Sequence, residues 1–398
     1  MTQNSPARAT DTPIPNSNIA EELYQRGHDA LNSGDNALAI KAFTLSCDAG
    51  NFKSCHNVAL LHEARLAGDP KLENSNFKIA ISYFNRSCAG GFQRACVAAA
   101  HYYRSSKYGM KNAARATALL TTACDAGEIA GCEDLAEILY LGDGVAMDLA
   151  HAATLFKKGC DADGRAMSCF NYGLMRSKGQ GVAIDKDLAF EYYSLGCRKG
   201  SNEACINLAV DYNEHGIVPD DKKIARGLLQ QSCTKGAMTA CANLGQLIRD
   251  GKPTEAENVE AAELFRKACD SGFGKACRSL GNMAQDGIKA AGTMRQAIKY
   301  YIKGCNLNYA DSCYNVGLVY WSGYRVVKQP RTSLFWHGKG CNLGSASSCV
   351  GAALAALSLK KGDPLGGKDI ARRWFDQAKT IDPENSLVKS MGDWLDKP

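Results

Sequence analysis

Eighteen cysteines are the side chains of this chain best placed to do chemistry. They fall into nine pairs: Cys47/Cys55, Cys88/Cys96, Cys124/Cys132, Cys160/Cys169, Cys197/Cys205, Cys233/Cys241, Cys269/Cys277, Cys305/Cys313 and Cys341/Cys349. The members of a pair are eight residues apart, nine in the fourth pair, and none is left over. Thiols in such numbers bind metal, exchange electrons, form disulfides or simply pack. Zinc sites favour cysteines roughly two to four residues apart with further ligands nearby. The seven histidines (His28, His56, His62, His101, His151, His215, His337) keep no phase with the pairs, so no metal ligand is assigned. No Cys-x-x-Cys redox motif occurs. Disulfides and reduced, packed thiols both remain, and the absence of an odd cysteine favours disulfides. Disulfides imply an oxidising compartment.

Other chemistry is thin. Ser-x-x-Lys, the first motif of the penicillin-binding enzymes, occurs at Ser75–Lys78, Ser232–Lys235 and Ser386–Lys389. The supporting Ser-Asp-Asn and Lys-Thr-Gly are missing, and the enzyme needs all three. His-Glu-x-x-His, Gly-x-Gly-x-x-Gly and a phosphate loop are missing too. The chain therefore reads as non-enzymatic, with no catalytic residue and no cofactor.

One polar position recurs. Asn57, Asn171, Asn207, Asn243 and Asn315 each stand two residues after the second cysteine of a pair. Asn is a mediocre helix former. Either these amides face a concave groove and hold a partner's backbone with one donor and one acceptor, or they satisfy groups at the helix start or in a neighbouring repeat. Late aromatics (Tyr314, Tyr320, Trp321, Tyr324, Trp336) divide similarly between repeat packing and an anchor patch for a partner.

The pairs also define a repeat. Their first members are 36 residues apart in six of eight intervals, and 41 and 37 apart in the other two. The extra residues of the long interval lie in a loop around Ala67–Ser75. Eight residues before the first cysteine stands Ala39, Ala80, Ala116, Ala152, Ala189, Ala225, Ala261, Ala297 or Ser333. Four before it stands Phe43, Phe84, Leu120, Phe156, Tyr193, Leu229, Phe265, Tyr301 or His337. Spacings of four and eight put these side chains and the cysteine on one face of a second helix, helix B. Three residues after the first cysteine comes Gly, once delayed to Gly164 and once replaced by Asn308, as a left-handed helix end requires. The residue before the second cysteine is small throughout, and the residue four after it is Ala or Gly, from Ala59 to Ala353. Small residues there let the next helix A approach closely.

On one unbroken helix, eight residues would hold two cysteines about 12 Å apart, beyond the roughly 7 Å that a disulfide spans. The glycine turn reverses the chain and brings the two helix ends together. Each bridge then ties helix B of one unit to helix A of the next.

The fold expected is all-α: a right-handed α/α solenoid of about ten helical hairpins, one domain over 19–398. Tyr24–Leu45 forms an atypical head, Asp369–Lys379 a last helix B and Ser386–Leu395 a cap, since end repeats of solenoids differ from inner ones. Residues 1–18, polar and holding Pro6, Pro13 and Pro15, read as a disordered tail without the apolar stretch of a secretory signal. No stretch is apolar enough to span a membrane. The net charge of +6 over 398 residues, with no run of basic residues, does not indicate nucleic-acid binding.

The stretch Cys124-Asp-Ala-Gly-Glu-Ile-Ala-Gly-Cys132, followed by Leu135, Tyr140, Gly142-Asp143-Gly144-Val145, Ala152 and Lys157-Lys158-Gly159-Cys160, resembles the Sel-1-like repeat, a relative of the tetratricopeptide repeat. The resemblance covers roughly residues 21–380. The cysteine placement is similar to that of the Helicobacter cysteine-rich proteins and of the Sel-1-repeat cytochrome c oxidase assembly factor. The first likeness implies export, a weak penicillin-binding or β-lactamase-like activity, or a secreted host-interaction role. The second implies a protein-binding scaffold of the mitochondrial intermembrane space, reached through oxidative import without a presequence. With no signal in view, the expectation is a disulfide-stapled scaffold binding a protein or peptide in its concave groove, serving the assembly of a respiratory complex. The bacterial periplasm and the cell exterior are the alternative settings.

Overall fold

The computed structural model describes residues 17–64, 73–107, 109–215 and 221–395. Every regular element among them is an α-helix. The chain divides into two compact units, Met1–Ala204 and Cys205–Pro398.

The first unit holds α1 (Ser17–Asn32), α2 (Asn36–Asp48), α3 (Phe52–Glu63), α4 (Glu73–Ala89), α5 (Gln93–Arg104), α6 (Ala113–Asp125), α7 (Ile129–Leu141), α8 (Leu149–Asp163), α9 (Ala166–Lys178) and α10 (Lys186–Arg198). Odd helices are the A type and even ones the B type. Four B helices start at an acidic or amide cap: Asp35, Asn112, Asp148 and Asp185 each accept a hydrogen bond from the backbone N–H three residues on. Such a cap satisfies a donor that the helix leaves open and contributes about 1 kcal/mol. Phe43, Phe84, Leu120 and Phe156 are sealed from solvent on the B helices. Each is worth roughly 1.5–3 kcal/mol of burial.

The B helix ends where the left-handed residue closes it. Gly127 has φ +89°; its N–H donates to Cys124 O, and the N–H of Glu128 donates to Ala123 O. This closure turns the chain into the next helix A.

The second unit holds α11 (Asn202–His215) from Cys205 on, then α12 (Asp221–Thr234), α13 (Met238–Asp250), α14 (Glu255–Asp270), α15 (Gly274–Gln285), α16 (Met294–Asn306), α17 (Ala310–Ser322), α18 (Pro330–Asn342), α19 (Ala346–Leu357), α20 (Lys368–Ile381) and α21 (Ser386–Leu395). Its sealed B-helix residues are Leu229, Phe265, Tyr301 and Phe375. The small residue on helix A is a steric requirement of these rings. A Cβ on Gly281 would lie 2.5 Å from the Tyr301 ring. Asn308, the one Asn in the turn position, takes φ +60° and closes α16 as the glycines close the other cysteine-bearing B helices, whereas α20 ends at the extended Asp382. The short α21 buries Val388 and Met391 against the last hairpin.

Among the described residues α1 to α20 alternate as the expected ten hairpins, with α21 as the cap. The tail expected over 1–18 gives way to helix at Ser17, because Ala20 is buried and its carbonyl accepts a hydrogen bond from Ser46 Oγ on α2. The rest of that tail and residues 65–72 of the long interval lie outside the described residues.

Candidate interaction surface and its disulfide framework

In eight of the pairs the B-to-A turn brings the two cysteines together. Eight bridges have Cα–Cα distances of 4.6–4.8 Å: Cys47–Cys55, Cys88–Cys96, Cys124–Cys132, Cys160–Cys169, Cys233–Cys241, Cys269–Cys277, Cys305–Cys313 and Cys341–Cys349. Cys197 and Cys205 are disulfide-bonded as well. A bridged sulfur has no thiolate to offer a metal or an electrophile. The bridges are accordingly structural, and nearly all their sulfurs are buried.

The bridge sits on a second close contact. The residue before the first cysteine touches the residue before the second: Ser54 Oγ donates to Ser46 Oγ at 2.7 Å, and a Cβ on Gly131 would lie 2.7 Å from that of Ala123. The same holds for Gly159 with Ser168, Gly304 with Ser312 and Gly340 with Ser348. The residue before the first cysteine is therefore small for the same reason as its partner, a constraint legible in the aligned repeats from Ser46 to Gly340.

The recurrent asparagines lie in the middle of the A helices and are half-buried. They do not cap: the cap of α3 is Asn51, while Asn57 is well inside the helix. Two reach the preceding repeat. Asn57 Nδ2 lies 3.4 Å from His28 Nε2, and Asn315 Nδ2 donates to Asn282 Oδ1 at 3.1 Å. His101 and Asp134 occupy the corresponding positions and pair at 2.6 Å, which raises the His101 pKa through the hydrogen bond to Asp134. Position five after one second cysteine thus meets position two after the next. Where the former is spent or aliphatic, the amide is left over. Glu137, before Asn171, is engaged by Arg104, and Val210, before Asn243, is aliphatic and 37% exposed. Asn171, Asn207 and Asn243 make no side-chain hydrogen bond among the described residues.

Among the described residues the Ser-x-x-Lys pairs are not set up as reactive couples. Ser232 is buried while Lys235 is exposed, Lys389 is held by Glu384, and the Ser75 side chain lies outside the described residues. Of the late aromatics, Tyr314 is half-buried beside His337, with ring centroids 5.3 Å apart, and Tyr320, Trp321 and Trp336 pack on the core. Tyr324 alone is well exposed. Burial pushes the Tyr314 phenol up.

Two features escape a whole-chain reading. Residues 323–381 carry ten Lys and Arg against three Asp, a net +7, while the whole chain carries +6. A sliding charge window exposes this; the total hides it. Phe335 is 63% exposed on α18, one residue from Trp336, and helical spacing cannot tell which neighbour faces out.

Among known proteins, the chain is 32% identical over 128 residues to cytochrome c oxidase assembly factor 7A of Xenopus laevis, covering 31% of this chain and 54% of that protein. It is 31% identical over 152 residues to cytochrome c oxidase assembly factor 7 of Xenopus tropicalis, covering 36% and 64%. The matches thus span about half to two thirds of these relatives' lengths. A solved protective antigen of uropathogenic Escherichia coli strains, described as having an SLR fold, superposes with a TM-score of 0.62 at 19% identity, over 94% of this chain and 87% of that one. That likeness concerns the fold alone. The Sel1 repeat model matches residues 53–92, 93–128, 129–164, 166–201, 202–236, 239–273, 274–309 and 310–345, and with eight repeats over most of its length the chain belongs to the Sel1 repeat family.

Proposed function

We propose that this protein is a non-catalytic interaction scaffold of an oxidising compartment, serving the assembly of a respiratory complex in the mitochondrial intermembrane space. The observation that carries the reading is the disulfide series: eight bridges hold one hairpin to the next, and no cysteine among the described residues is free. Such a frame presents a surface and leaves no thiol for turnover. The relatives named for cytochrome c oxidase assembly support the choice of compartment and task.

On this reading the A helices offer the contact face. The amides of Asn171, Asn207 and Asn243 retain a donor and an acceptor each for a partner's backbone. Asn57 and Asn315 are committed to neighbouring repeats.

Affinity capture from the native source, with mass spectrometry and a thiol count under non-reducing conditions, tests the reading. Recovery of oxidase subunits or assembly proteins with no free thiol is the expected result. Eighteen free thiols in the folded protein would remove the compartment argument. Covalent labelling of Ser232 by a β-lactam, lost in Ser232→Ala, would replace the scaffold with an enzyme.

A further inference from the structure

A cleft of about 570 Å³ lies between α18 and α20 in the second unit. Phe335, Leu365, Ile370 and Trp374 form its apolar wall, and Phe335 and Leu365 are 63% and 51% exposed. Gly338 lets the Trp374 ring close onto α18: a Cβ there would lie 3.3 Å from that ring. An exposed apolar wall in a concave setting is costly to leave in water and marks a binding site.

The rim is cationic. Arg331, Lys339 and Arg373 border the cleft. Arg331 is paired with Asp363 at 2.8 Å. Lys339 donates to the neutral Asn306 Oδ1 and lies 5.6 Å above the Trp336 ring. Arg373 is exposed and makes no ion pair or hydrogen bond among the described residues. Two of three rim cations therefore lack an acidic partner, within the segment that carries the net +7.

From this juxtaposition we infer that the α18–α20 cleft docks an acidic peptide segment that inserts an apolar side chain beside Phe335 and Leu365 and sets its carboxylates against Lys339 and Arg373. The volume suits one or two side chains. A nucleic acid needs a continuous basic track for its phosphates, whereas Asp363 interrupts this rim at Arg331. A membrane needs a convex or flat face, and this one is concave. The inference gives the scaffold proposed above a partner chemistry and rests on that reading for its purpose.

The test uses the full oxidised chain and a fluorescent synthetic peptide of Glu and Asp with Leu and Trp four residues apart. Binding in the micromolar range, weakened by salt, is expected. Arg373→Glu and Phe335→Ala should each weaken it about tenfold, Leu365→Ala several-fold, and Lys299→Glu on the exposed face of α16 hardly at all. A peptide with Lys in place of its acidic residues should not bind. The proposal is overturned if the acidic peptide does not bind, or if both Arg373→Glu and Phe335→Ala leave its affinity unchanged. It is equally overturned if a single-stranded oligonucleotide or a phosphatidylserine vesicle competes more strongly for the same residues. All four substitutions are at exposed positions, and a thermal melt of each variant verifies the fold. Failure here with native partners still captured would reject the cleft and leave the scaffold standing; loss of both would reject the scaffold too.

Discussion

The hairpins α15–α16 and α17–α18 share a bridge, a turn and a glycine, yet their cores differ. In the first, Ala297 and Tyr301 fill the B-helix core, and the Tyr301 hydroxyl donates toward Asn282 Oδ1 and Gln285 Oε1 at 2.8 and 3.1 Å. In the second, Ser333 and His337 stand at those positions, both buried, and neither Ser333 Oγ nor His337 Nδ1 has a hydrogen-bond partner among the described residues. Each orphaned polar group costs about 1–3 kcal/mol. The repeat survives because the disulfide and the left-handed turn hold the crossing independently of what fills the core. Departure from the repeat's apolar pattern is concentrated in the same stretch that gathers the positive charge and the exposed Phe335. The first unit, by contrast, keeps an apolar B-helix core and a net charge of −1.

The largest expected effect comes from removing what the two hairpins have in common. Each bridge closes a loop worth about 2–3 kcal/mol in the chain-entropy model. Full reduction should therefore lower the melting temperature by tens of degrees or unfold the chain, as followed by circular dichroism with and without reductant. Comparing the double variant Cys305→Ser/Cys313→Ser with Cys341→Ser/Cys349→Ser sharpens the point. The second should melt lower, because its bridge closes the end of the polar-cored α18. Equal melting temperatures would break the contrast.

The imidazole gives the next effect. Burial lowers the His337 pKa to about 4, against 6.5 when unfolded. Between these values the unfolded state binds the extra proton, so stability present above pH 6.5 is lost as pH falls toward 4, up to about 3 kcal/mol. His337→Phe, matching the ring type of the other repeats, should flatten that slope in urea titrations across pH 4–7. An unchanged slope would place the acid sensitivity elsewhere.

Smaller again is Gly281→Ala. The added Cβ would meet the Tyr301 ring at 2.5 Å, and a ring forced aside in a packed core costs about 1–3 kcal/mol. Chemical denaturation should register it, whereas Gly227→Ala, with nothing near its Cβ, should be neutral or stabilising. The smallest effect belongs to the amides. Asn243→Ala should change stability by less than about 0.5 kcal/mol, while Asn315→Ala, which breaks a contact to Asn282, should cost more. If Asn243→Ala also leaves capture of native partners unchanged, the idea of an amide contact face fails.

Much of this was readable from spacing alone. The 36-residue period, the turn glycines with Asn308 as the substitute, and the small residues facing Phe43 or Tyr301 all follow from local rules that repeat many times over. Repetition averages out the ambiguity of any single helix. The cysteine pairing follows too, because residues eight apart across a reversing turn have only one neighbour to meet.

What repetition cannot reveal is whatever happens once. Whether Asn57 spends its amide depends on His28, 29 residues earlier, and whether Asn243 keeps its own depends on Val210 being aliphatic. Phe335 faces water while Trp336 packs because the rotation of α18 is set by its packing against α17 and α19, not by either residue's hydrophobicity. The cleft between α18 and α20 exists only when two helices 25 residues apart in sequence stand side by side. The sequence by itself determined the nine cysteine pairs and the register they impose, since both are consequences of local turn geometry. Only the tertiary structure decided which amides and cations are left without partners, because that depends on what each neighbouring repeat happens to bring within reach.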